Sequence, residues 1–208
     1  GIVAEALVAA FNPQLASWTS APFAIELEQH TLRKLSELFG YDASHSEGTF
    51  TGGGTEANHT ALLVALYRKF PQGLQRGLRS IDGVPTLYVC EEAHHSFLKA
   101  ARLSGLGSEF VREIRSTPQG VMDVAALREK IAIARLGNCI PFFVVGTAGT
   151  TSAGAIDPLP KIAAVASEED CWFHVDAAWG GAAMVHGPLR KHFDGLSLAD
   201  SITFDAHK

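Results

Sequence analysis

Blocks of helical periodicity alternate along this chain with short runs that are apolar at nearly every position. Phe23 to Phe39 carries Ile25, Leu32, Leu35 and Leu38 on or near one face, which predicts an amphipathic helix stopped by Gly40. Thr55 to Phe70, rich in Ala and Leu, predicts a second helix closed by Pro71. Thr86 to Cys90 (TLYVC) predicts a short buried strand, His95 to Leu103 a helix, and Glu109 to Ile114 another strand. Asp123 is placed to cap a helix through Leu136, with Gly137 at its end. Pro141 to Thr147 (PFFVVGT) predicts a strand that runs into a Gly-Thr loop. Asp157-Pro158 opens a further helix, Cys171 to Val175 predicts a strand, and Ser201 to Phe204 predicts the last one. Gly73 to Pro85, with its Gly, Arg and Asp, reads as a surface loop.

Strands that are apolar throughout and separated by helices predict an α/β fold with a mainly parallel sheet covered by helices on both faces. Ligands of such sheets bind beyond the carboxyl ends of the strands. His94 follows one predicted strand, Thr150-Thr151 another, Asp176 a third and Lys208 a fourth. No internal repeat or low-complexity linker interrupts the pattern.

Composition narrows the function classes. A chain of 208 residues can build one sizeable domain with at most an appendage. Its 47% hydrophobic and 19% charged residues are those of an ordinary globular protein. The net charge of −5, with acidic and basic residues interspersed, is neither a basic nucleic-acid footprint nor a polybasic membrane patch. Neither nucleic acid nor membrane is therefore an expected partner. Cys90, Cys139 and Cys171 are widely spaced in or after apolar runs, which predicts buried, reduced thiols. No apolar run approaches the roughly 18 residues of a membrane span. Gly1 to Glu5 lacks the basic start of a secretory signal, and a cytoplasmic location is expected.

Four features carry chemistry. The turn Thr51-Gly52-Gly53-Gly54-Thr55 precedes a helix, where glycines let the backbone approach an anion and the helix terminus offers free N–H groups. It is either a phosphate site or a tight turn capped by threonine, and it matches neither a Walker loop nor the dinucleotide pattern GxGxxG. Asp176 ends an apolar strand, and a buried carboxylate there needs a partner: a cation of the protein, a metal or a protonated heterocycle. The plainer reading is a cap on a following helix. Ala177-Ala178 leave room for something flat beside it. His94 and His95 could be drawn with His174, Asp176 and His207 as a zinc set, but there is no HExxH pair or close-spaced ligand group, so no metal is expected. Lys208, after His207, is either solvated or a desolvated amine nucleophile.

Together these residues resemble the group II pyridoxal-phosphate decarboxylases, enzymes that act on aromatic amino acids, histidine, glutamate, tyrosine or diaminobutyrate. The likeness runs from Ser17-Trp18-Thr19-Ser20-Ala21-Pro22 and Glu26-Leu27-Glu28 to Lys208. It is carried by Thr51 to Asn58, Ala93-His94-His95-Ser96, Gly149-Thr150-Thr151, His174 to Ala178, and Asp200-Ser201 through His207-Lys208, in the family's order. The resemblance implies the fold type I architecture of pyridoxal-phosphate enzymes. Residues 1–22 would be an N-terminal connecting segment and 23–208 the cofactor-binding large domain. Its C-terminal strands and small domain would lie in further polypeptide after Lys208, as a second chain or as residues absent from this sequence.

The resemblance also implies roles. Lys208 would hold pyridoxal 5'-phosphate as an aldimine, and Asp176 would pair with the pyridinium nitrogen. His94 would stack on one face of the ring and Ala178 would pack on the other. Gly54 and Thr55, helped by Ser201, would bind the phosphate. Thr151 would contact the ring substituents or Asp176, and His207 would lie beside the phosphate and the lysine. Asp205 departs from the animal aromatic enzymes, which carry Asn there; a carboxylate would repel the phosphate, so no direct phosphate contact is expected of it. Gln14 and Ala16 stand where those enzymes place bulky side chains, which argues against close mimicry of them. Trp179 and Phe97 are either pocket or core residues. The implied activity is decarboxylation of an L-amino acid to its amine and carbon dioxide by a homodimer. The alternatives are another fold type I enzyme (aminotransferase, carbon–carbon lyase or amino-acid-to-aldehyde converter) or a non-catalytic protein that keeps the fold for binding or assembly.

Overall fold

The computed structural model describes residues 1–208, which divide into two compact units, Gly1–Thr49 and Phe50–Lys208. The first unit holds α1 (Ile2–Phe11) and α2 (Pro22–Leu38). Pro22 sits at the first position of α2, where its missing N–H costs nothing, and Gly40, at φ 84°, takes the left-handed conformation that stops it. Trp18 donates its indole N–H to Glu26 of α2 at 3.0 Å. The helix α1 has no counterpart in the sequence reading. Nine of its ten residues, IVAEALVAAF, are apolar, and Glu5 alone makes no polar face for a period to reveal.

The second unit is built on a five-stranded parallel sheet in the order β2-β1-β3-β4-β5. Its strands are β1 (Val84–Cys90), β2 (Val111–Ile114), β3 (Cys139–Thr147), β4 (Trp172–Asp176) and β5 (Ser201–Thr203). The helices are α3 (Gly54–Lys69), α4 (Gly73–Arg76), α5 (Ser96–Leu103), α6 (Val124–Leu136), α7 (Leu159–Glu168) and α8 (Gly187–Arg190). Leu62 and Leu66 of α3 and Phe97 and Ala101 of α5 join Leu87, Val89, Phe143 and Val145 of the sheet in one buried core. Asp123 caps α6 as expected, accepting the N–H groups of Ala125 (2.9 Å) and Ala126 (3.1 Å). Register decides where the chemistry falls: Thr147 pairs with Asp176, and Asp176 with Thr203, so three strands end side by side.

The main elements agree with the sequence reading, and three segments depart from it. Gly73 to Pro85 is not a plain loop. It forms α4, a 3-10 turn at Leu78–Ser80 and the start of β1, because Leu78 and Ile81 turn inward onto the core. Glu109 lies in a 3-10 turn, and β2 begins only at Val111. Asp157 does not cap α7, which starts at Leu159; it turns inward and accepts backbone N–H groups from Met122 (2.7 Å) and Thr147 (2.8 Å). The three cysteines are free, and burial pushes the thiols of Cys90 and Cys171 up to about 11 and about 12. No helix is long and apolar enough to cross a membrane.

Candidate active site

A cavity of about 290 Å³ opens at the carboxyl ends of the strands, lined by five stretches far apart in sequence. The turn into α3 supplies Gly53, Gly54, Thr55 and Asn58, and the loop after β1 supplies His94. The end of β3 and its loop give Thr147, Gly149 and Thr151, the end of β4 gives Asp176, Ala178 and Trp179, and the segment after β5 gives Asp205 and Lys208.

The first turn of α3 presents N–H groups with no partner inside the helix, together with the positive end of the helix dipole. The turn is braced from outside: Glu56 accepts the Gly52 N–H at 2.6 Å, and Thr51 Oγ1 donates to the Gly53 carbonyl at 3.2 Å. A side chain at Gly54 would have its Cβ 3.4 Å from Ala178 Cβ and 3.9 Å from Lys208 Nζ. That glycine therefore marks where the anion-binding turn, the floor beyond β4 and the lysine amine converge. Lys208 Nζ lies 3.9 Å from Asp205 Oδ2, and the lysine side chain remains half exposed.

Asp176 is 6% exposed, yet it has hydrogen-bond donors on both oxygens. Asn58 Nδ2 reaches Oδ2 at 2.8 Å, and the Ala178 N–H reaches Oδ1 at 3.1 Å. Asn58 also donates to Ser96 Oγ at 2.9 Å and faces His174 Nε2 at 3.1 Å through its carbonyl oxygen. His174 is fully buried, stacked on Phe143 and edge-on to Phe97. Burial pushes its pKa from 6.5 down to about 4, against the opposing pull of Asp176.

Of the residues singled out from the sequence, Gly54, Thr55, His94, Thr151, Asp176, Ala178 and Lys208 line this cavity. Ser201 and His207 do not. Ser201 opens β5 rather than ending it, and its hydroxyl is engaged by Trp172 Nε1 and His174 Nδ1, both at 2.8 Å, so the expected phosphate contact is corrected. His207 is exposed, and its backbone N–H is held by Asp205 Oδ1 at 2.9 Å. Thr150 closes the loop after β3 by accepting the Ala155 N–H at 3.1 Å, which leaves Thr151 to the cavity. Trp179 is a cavity wall, and Phe97 belongs to the core. Gly149, at φ 103°, has no room for a side chain: a Cβ there would lie 2.9 Å from the Trp179 ring.

Sequence reasoning missed Asn58, Thr147 and Gly149. Asn58 had a readable signal, because it shares the inward stripe of α3 with Leu62 and Leu66 at helical spacing, and a buried amide needs partners. Thr147 Oγ1 is buried without any hydrogen-bond partner and belongs to a cavity-lining residue.

The sequence model of the pyridoxal-dependent decarboxylase conserved domain matches residues 1–208. Human cysteine sulfinic acid decarboxylase is 37% identical over 207 residues, covering all of this chain and 41% of that protein. The crystal structure of mouse CSAD in apo form superposes with a TM-score of 0.96 at 34% identity, covering 100% of this chain and 43% of that one. The glutamate decarboxylase domain of the diaminobutyrate-pyruvate transaminase and L-2,4-diaminobutyrate decarboxylase from Vibrio parahaemolyticus gives 0.93 at 35% identity, over 100% and 46% of the two chains. The chain thus spans less than half the length of these relatives. With the match extending over every residue, the chain belongs to the pyridoxal-dependent decarboxylase family.

Proposed function

We propose that this chain forms the cofactor-holding part of an enzyme that decarboxylates an L-amino acid to its amine and carbon dioxide. The observation that carries the reading is the meeting, in one cavity, of an anion-binding helix terminus, a doubly held carboxylate and a lysine amine. Pyridoxal phosphate fits these residues: a Cβ at Gly54 would take up space between Ala178 and Lys208, at 3.4 and 3.9 Å, and the Thr147 hydroxyl is buried and still owed a partner. When bound, the cofactor supplies an electron sink for the pair left behind as the carboxylate departs.

The protein's own residues do the rest. Lys208, whose half-exposed amine reaches the cavity, would be the residue that holds the cofactor aldehyde. Gly54 and Thr55, at the helix terminus that lines the cavity, would hold the phosphate through their backbone N–H groups. Asp176 would pair with the ring nitrogen, and the small side chain of Ala178 beside it would leave room for a planar ring. His94 accepts the Ser96 N–H on Nδ1 at 3.2 Å, so its Nε2 carries the proton on the ring side left free for the cavity. Trp179, braced by Gly149 and Gly154, walls the mouth where a substrate side chain would sit.

The names of the relatives support two substrate classes, small acidic amino acids and 2,4-diaminobutyrate. Similar identity on both sides, 37% and 35%, leaves the choice to assay. The test is a panel of amino acids given to the full-length polypeptide with pyridoxal phosphate, with products identified by mass spectrometry. Amine and carbon dioxide in equal amounts are expected; an aldehyde with ammonia, or a keto acid, would replace this reading. Assembly as a homodimer, completed by polypeptide beyond this chain, belongs to the same proposal and is read from the solution mass.

A further inference from the structure

The hydrogen bonds around His174 run in one line, from the first residue of β4 to the cavity. Trp172 Nε1 meets Ser201 Oγ at 2.8 Å, and Ser201 Oγ meets His174 Nδ1 at 2.8 Å. His174 Nε2 meets Asn58 Oδ1 at 3.1 Å, and Asn58 Nδ2 meets Asp176 Oδ2 at 2.8 Å. The two ends of the line decide the direction of every proton in it. An indole N–H only donates, so Ser201 accepts it and keeps its own hydrogen available for His174 Nδ1. A carboxylate only accepts, so Asn58 must present its NH₂ to Asp176 and its carbonyl to His174. His174 is thereby fixed as the neutral tautomer protonated on Nε2. Its burial, which lowers its pKa, favours the same state. The second N–H of Asn58 goes to Ser96 at 2.9 Å, so the amide has nothing to gain by turning over.

We propose that His174 and Asn58 are positioning residues for Asp176. Asn58 holds one carboxylate oxygen from inside the core, while the Ala178 N–H holds the other. His174, itself oriented by Ser201 and Trp172, fixes the face that Asn58 presents. The carboxylate cannot rotate away from the cavity without leaving buried donors unpaired, which is costly. Neither His174 nor Ser201 lines the cavity, so both act only through this line. The inference rests on the pyridoxal-phosphate reading of the site.

The test compares full-length apo-protein of the wild type with His174→Leu and His174→Gln, titrated with pyridoxal phosphate while its bound visible absorbance is followed. Thermal unfolding of each is recorded alongside. Gln can still donate an N–H to Asn58, and Leu cannot. His174→Leu is expected to bind the cofactor about 10- to 100-fold more weakly, as for loss of a hydrogen bond serving a charged group, with a weakened visible band. His174→Gln is expected to restore most of both. Unchanged affinity and band in His174→Leu would overturn the proposal, as would Gln and Leu variants that fall equally. If His174→Leu does not fold, Ser201→Ala carries the same comparison, with a smaller loss of the same kind expected and no loss overturning it. A wild type that binds no pyridoxal phosphate would instead sink the reading of the site itself.

Discussion

Lys208 and Asp176 carry the heaviest single-residue consequences. Lys208→Ala should leave the fold intact, because the side chain is half exposed, and should abolish the visible absorbance of bound cofactor together with turnover. Absorbance retained in that variant would mean another amine holds the aldehyde. His174 makes a second prediction, in stability against pH. Its folded pKa, about 4, lies below its ordinary 6.5, so the unfolded chain binds the extra proton first. The stabilisation is full above 6.5 and is lost as pH falls toward 4. Asp157 works in the opposite sense: burial raises its pKa, so its contribution is full at low pH and is lost as pH rises through the folded value. Chemical denaturation of the apo-protein between pH 4 and pH 7 should show a rising slope from His174, opposed by the fall from Asp157. His174→Gln should flatten that slope; an unchanged slope would remove His174 as its source. At this scale the sequence was most informative where a residue's type is chemically demanding. Asp176, Lys208 and the Gly54-Thr55 turn were legible because a buried acid, a strand-end amine and a glycine-rich helix start each call for a partner. Ser201 was misread because its direction depends on the β4–β5 register, which places it opposite His174 rather than at the cavity.

Helices and strands were legible where a single period dominated. The apolar runs of β1, β3 and β4 and the striped helices α2 and α6 could be read directly, and the Asp123 cap set the start of α6 to the residue. Asp123→Ala should lower stability by about 1 kcal/mol with no change in cofactor binding, since neither the cap nor its bond to Arg115 touches the cavity. A loss of affinity would tie α6 to the site. The segment between β4 and β5 escaped the reading. It is a succession of 3-10 turns and the four-residue α8, too short for any period to show. Yet that segment supports the cavity: Gly180 approaches so closely that a Cβ would lie 2.1 Å from the Ala148 carbonyl oxygen. Gly149→Ala would set a Cβ against Trp179 and Gly180 at a positive φ, and the expected cost is about 1–3 kcal/mol of stability. Movement of Trp179 should accompany it, seen as a change in substrate KM greater than that in cofactor affinity.

At the scale of the whole molecule, the parallel sheet is what brings the chemistry together. Every connection between its strands is a crossover, and no two of the five cavity-lining stretches are neighbours in sequence. The turn into α3 meets Lys208 only when β5 has docked beside β4. Contacts of such long sequence separation form late, because the loop-closure entropy must be met before they give anything back. The cavity is therefore a kinetic milestone as well as a binding site. In refolding of the full-length protein, secondary structure should return before competence to bind pyridoxal phosphate. The cofactor then serves as a clock: it distinguishes chains whose β5 has docked from those that have only collapsed.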